Sequence, residues 1–73
     1  MKKIRIDWRS NSAYHDGEER YTEELTEKEL ESVINYIESK WEYEKEINRT
    51  LGYIRYTYPI YNGEGFVEVT IPH

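Results

Sequence analysis

Ile4, Ile6 and Trp8 alternate with Arg5, Asp7 and Arg9, so the first apolar side chains all point one way. A period of two marks a strand with one buried face. The far end of the chain shows the same period twice. Leu51 to Tyr61 is rich in β-branched and aromatic residues, and Phe66 to Ile71 alternates. Asn62-Gly63 between them favours a type I′ turn, whose two central residues need positive φ. Folding there sets Tyr58 against Val67, Tyr56 against Val69 and Ile54 against Ile71, all on one face. Arg55, Thr57, Glu68 and Thr70 fall on the other. One register satisfies both alternations. Pro59 points to an edge position for the first of these strands, because proline donates nothing to a ladder.

The middle of the chain changes period. Thr26-Glu27-Lys28-Glu29 is a capping box, and Leu25 and Leu30 form a hydrophobic staple around it. Leu30, Val33, Ile34, Ile37 and Trp41 then share one helical face. Tyr36, Tyr43, Ile47 and Leu51 continue on an adjoining stripe, with Gly52 as the C′ residue and Arg49 near the negative end of the dipole. A helix of about 24 residues would be roughly 36 Å long. Strands of six or seven residues span only about 20–23 Å. One end should then overhang the sheet and leave Trp41, Tyr43 and Ile47 to another chain. Glu44, Lys45 and Asn48 interrupt the apolar face there, so a kink or stop near Glu46 is the alternative.

Residues 10–25 admit two readings. A turn at Asp16-Gly17 sets Trp8 opposite Leu25 and Ser12 opposite Tyr21, with a second strand near 19–24. Otherwise the segment is a long loop. The expected fold is α+β, β(β)αββ: one long helix packed on a small, mainly antiparallel sheet, in a single domain over residues 1–73.

Composition narrows the class. Apolar residues make up 37% of the 73, and eight of the eleven aromatics are tyrosines. A domain of this size buries only about 60% of its unfolded surface, so aromatic bulk or association must supplement the core. Cysteine is absent, which excludes disulfides and Cys-based zinc sites. No apolar stretch reaches the ~20 residues of a membrane span. No signal-type apolar region follows Met1-Lys2-Lys3. The expectation is a cytoplasmic protein without membrane or cofactor.

The net charge of −5 is unevenly spread. Residues 1–15 carry four cations and one acid, net +3. Residues 16–46 carry twelve acids and four cations, net −8, and residues 47–73 balance. Within the expected helix, Glu27–Glu31, Glu38–Glu42 and Glu42–Glu46 are like-charge i,i+4 pairs, each costing ~0.2–0.5 kcal/mol. On a helical wheel Glu27, Glu31, Glu38, Glu42 and Glu46 share one solvent-facing sector. Glu38, Glu42 and Glu46 would repeat every ~6 Å, a spacing suited to a Lys/Arg groove that normally holds nucleic acid. A merely solvated polar face is the other reading. In size, glutamate row, tyrosines and lack of an active-site motif, the chain resembles the small acidic inhibitors of phages and mobile elements, including anti-CRISPR and nucleic-acid-mimic proteins. Such proteins share no common fold, so the resemblance implies a mode of action, a place in the host cytoplasm if phage-encoded, and no site residues.

Motifs for chemistry are few. His15 beside Asp16 is the one candidate base or metal ligand within the chain, and its surroundings do not match a calcium-loop spacing. Gly63-Glu64-Gly65 is a turn, not a phosphate loop. Asn48-Arg49-Thr50 fits a glycosylation sequon without a supporting signal segment. Tyr53 and Tyr61, taken to share the outer sheet face with Arg55, could stack bases, but few cations accompany them. Direct nucleic-acid binding is therefore not expected. The leading expectation is a non-enzymatic, inhibitor-type binding protein. Glu27, Glu31, Glu38, Glu42 and Glu46, with Trp41 and Tyr43, would meet a basic surface of a nucleic-acid-processing protein. The alternatives are a self-associating structural or regulatory module, a homodimer at its simplest, and a small metal protein or enzyme using His15.

Overall fold

A computed structural model of the chain describes residues 1–12 and 16–72. The elements are β1 (Lys2–Asn11), β2 (Asp16–Leu25), α1 (Glu27–Glu38), β3 (Glu44–Asn48), β4 (Tyr53–Ile60) and β5 (Gly65–Pro72). The five strands form one antiparallel sheet in the order β2-β1-β5-β4-β3. The class is α+β, as expected. The order is ββαβββ rather than β(β)αββ, because the second half of the expected long helix is a turn and a strand.

The β4–β5 hairpin pairs Tyr58 with Val67, Tyr56 with Val69 and Ile54 with Ile71, the register that the alternation predicts. Its turn is closed by the Glu64 amide donating to the Tyr61 carbonyl at 3.1 Å. Asn62 at φ 55°, ψ 33° and Gly63 at φ 88° hold the type I′ conformation. The edge position inferred from Pro59 is corrected. β4 is interior, since β3 pairs with Tyr53–Thr57. Proline is tolerated because β3 ends before reaching it, which leaves no ladder partner for its missing N–H.

β2 exists, but not in the expected register. Trp8 stands opposite Glu19, Ile6 opposite Tyr21 and Lys2 opposite Leu25. Asp16-Gly17 lies inside the strand and pairs with Ser10 and Asn11. The displacement from the expected register is an even number of residues, so each side chain keeps its face.

α1 begins as its capping box dictates. The Glu29 amide donates to Thr26 Oγ1, and the Thr26 amide donates to Glu29 Oε1. The helix lasts twelve residues and stops at Ser39, whose hydroxyl donates back to the Tyr36 carbonyl. Beyond Ile37 no side chain on the expected stripe finds the core: Trp41 is 100% exposed. Gly52 caps no helix. With φ 74° it closes the β3–β4 turn, where its amide donates to the Asn48 carbonyl and the Leu51 amide to Asn48 Oδ1.

Leu30 and Ile37 of α1 are buried against Ile4, Leu25, Tyr56, Val69 and Ile71, with Val33 and Ile34 packed alongside. A twelve-residue helix is about 18 Å long. Ten-residue strands reach roughly 33 Å. The helix therefore covers only part of the inner sheet face.

Candidate functional site

The expected glutamate row is not assembled. Glu27, Glu31 and Glu38 lie on α1, but Glu42 falls in the turn after it and Glu46 in β3. Only a continuous helix would align Glu38, Glu42 and Glu46, and the chain leaves the helix after Glu38. Glu38 accepts a 3.4 Å hydrogen bond from the Tyr56 hydroxyl. Glu46 stands opposite Arg55 on the outer sheet face and accepts from the Tyr53 hydroxyl at 2.9 Å. Tyr43 tilts its ring over Tyr56, 6.1 Å between centroids. Trp41 projects alone into solvent.

The acidic residues gather elsewhere. β2 is an edge strand, and Asp16, Glu18, Glu19, Glu23 and Glu24 are all exposed along it. Glu27, Glu29 and Glu31 follow directly in the first turns of α1. Against these eight acids, residues 16–31 hold two cations, Arg20 and Lys28. Arg20 joins Arg5 on the Asp7 carboxylate, which raises the already high Arg20 pKa by hydrogen bonding and charge. Arg9 pairs with Glu18 at 3.1 Å. Among the described residues, Glu19, Glu23, Glu24, Glu27 and Glu31 have no ion-pair partner. Glu29 is engaged by its cap, whose bonds from the Thr26 backbone and hydroxyl lower its pKa. Charge along an unpaired strand edge also keeps it from pairing with a second sheet.

Beside this edge lies a groove of about 390 Å³ on the inner sheet face, where α1 leaves the sheet uncovered. Trp8, Tyr21, Tyr36 and Tyr58 line it, with Glu19 at the rim. Tyr21 is 46% and Tyr36 57% exposed. The Lys40 ammonium lies 4.4 Å from the Tyr36 ring centroid and 5.5 Å from that of Tyr58. Burial, then the neighbouring Tyr36, pushes the Tyr58 phenol pKa up. Tyr61 turns its ring edge-on to Trp8, 6.4 Å between centroids, instead of joining Tyr53 on the outer face.

Sequence reasoning missed Trp8, Glu19, Tyr21, Glu23 and Glu24 as site residues. The available signal was the density of acids in residues 16–31, which was attributed to the face of an overlong helix, while the displaced register separated Tyr21 from Trp8 by setting it opposite Ser12. The outer sheet face is largely satisfied internally. Arg55 stacks 4.7 Å from the Tyr53 centroid and reaches Thr70, and Arg9 lies over Phe66.

His15 lies outside the described residues. Among the described residues no cluster of three metal-capable side chains forms, and no helix is long and apolar enough to cross a membrane. Comparisons with family models, curated proteins and solved structures return no match to this chain.

Proposed function

We propose that this is a non-enzymatic binding protein of inhibitor type. It presents the acidic edge formed by β2 and the start of α1, with the adjoining tyrosines, to a basic surface of a nucleic-acid-processing protein. The observation that carries this reading is the run of carboxylates at Glu19, Glu23, Glu24, Glu27 and Glu31 without ion-pair partners, beside an open aromatic groove. Unneutralised carboxylates along a strand and helix make a negative field that steers a cationic surface into contact. Tyrosines add broad amphipathic contact area at low rotamer cost. Glu38, Glu42 and Glu46 have no part in it.

The test replaces those five glutamates together by glutamine, which keeps size and removes charge. Immobilised wild-type protein should retain a basic nucleic-acid-binding protein from lysate of its own host and release it as salt rises. The fivefold variant should stay folded and lose that protein. Equal retention by the folded variant overturns the proposal.

A second reading is self-association, favoured by exposed Trp41, Ile47 and Leu51 near the β3 edge. Sedimentation at micromolar concentration decides it: a strict monomer removes this reading and leaves the first intact.

A further inference from the structure

Four aromatic rings line the groove beside α1. Lys40 already places its ammonium over Tyr36 and Tyr58. Trp8 and Tyr21 line the same wall with Glu19, and among the described residues no cation lies over either ring. Aromatic faces carry negative potential and attract cations, most strongly over tryptophan. A carboxylate beside such a face supplies the counter-charge and a fork of two acceptors. The benzene edge of the Trp8 indole lies by Gly17, where an added Cβ would come within 3.4 Å of it, and Tyr61 meets the same ring with the planes 88° apart and 6.4 Å between centroids.

We propose that the part of the groove lined by Trp8, Tyr21 and Glu19 takes one arginine side chain of a basic partner, its guanidinium against Trp8 and Tyr21 and its donors on Glu19. The proposal rests on the reading of the acidic edge as the partner-facing surface, and names the chemistry that anchors there. Charge complementarity selects the occupant. Glu19 and Glu23 stand on the same face of β2 and repel phosphate or an acidic side chain, which removes a nucleotide. An aliphatic side chain would leave the Glu19 carboxylate beside apolar surface with nothing to bind. Arginine fits better than lysine because its plane stacks on an aromatic ring while its edge meets a carboxylate.

Trp8 reports on this site once the other tryptophan is removed. Trp41 is fully exposed, so Trp41→Phe leaves the fold intact and makes Trp8 the single indole. In that background the probe is the blocked peptide acetyl-Gly-Arg-Gly-amide, titrated at constant ionic strength, with citrulline and leucine analogues as controls. A single cation site of this kind should saturate Trp8 emission in the range of about 1–100 mM peptide. The citrulline peptide, isosteric but neutral, should bind at least about tenfold more weakly, and Glu19→Gln should weaken arginine binding by about three- to tenfold. Absence of saturation with arginine, equal binding of the citrulline or leucine peptide, or indifference to Glu19→Gln overturns the proposal.

The partner itself separates this proposal from the broader one. Tyr21→Leu, at an exposed position, should weaken partner capture. If capture survives Tyr21→Leu but falls when Glu23, Glu27 and Glu31 become glutamine, the acidic edge stands and the arginine site is wrong.

Discussion

Thr26 and Glu29 exchange two hydrogen bonds, one from each backbone amide to the other residue's side chain, at 3.2 and 3.0 Å. This pair starts the helix at the exposed corner where β2 hands its acids to α1. Thr26→Ala should lower stability by about 1 kcal/mol, read from urea unfolding. Because the fold lowers the Glu29 pKa, its contribution is present above the unfolded carboxylate value and is lost as pH falls through the lower folded one. Glu29→Gln, which has no carboxylate to titrate, should therefore lose less stability than the wild type on acidification through that window.

Ile37 is 1% exposed and closes the core at the end of α1, whereas Trp41, four residues on, is fully exposed. Ile37→Ala should cost about 2–5 kcal/mol. A domain this small commands only ~3–5 kcal/mol, so the variant should be largely unfolded by circular dichroism. Trp41→Ala should change stability by less than about 0.5 kcal/mol. Equal, large losses in both would mean that the helix continues past Glu38.

Gly65 opens β5 against β1 with no room for a side chain. An added Cβ would lie 2.7 Å from the Arg9 carbonyl oxygen and 3.1 Å from Ile60 Cγ1. Gly65→Ala should destabilise by about 1–3 kcal/mol in thermal unfolding, because backbone cannot yield as a flexible side chain can.

Tyr58 titrates upward in the fold, first through burial. The folded state favours the neutral phenol, so this contribution is complete below the unfolded pKa near 10.0 and is lost as pH rises through the higher folded value. Tyr58→Phe should flatten the alkaline loss of stability in chemical denaturation across that range.

Much of this fold was legible where one period held. Ile54, Tyr56 and Tyr58 against Val67, Val69 and Ile71 could satisfy only one register around Asn62-Gly63, and the capping box marked the start of α1. The rest escaped for physical reasons. Tyr43 and Ile47 are four residues apart, a spacing that shares a face in a helix and equally in a strand, so β3 passed for helix. Gly52, a natural helix end, serves a hairpin turn. Asp16-Gly17 looks like a turn, yet Gly17 sits inside β2 where the Trp8 ring packs on it. That shift of register concealed the groove, by setting Trp8 opposite Leu25 instead of Glu19. Glu42 and Glu46 were assigned to the site only because the helix was drawn too long, whereas Glu27 and Glu31 remain on it.

Competition with nucleic acid tests the central claim most directly. With the captured partner purified and bound to a labelled nucleic acid, added protein should displace the label. The variant carrying glutamine at residues 19, 23, 24, 27 and 31 should need at least about tenfold more protein, and rising salt should narrow the gap. A stable ternary complex, or displacement by the folded variant as efficient as by the wild type, would contradict the account.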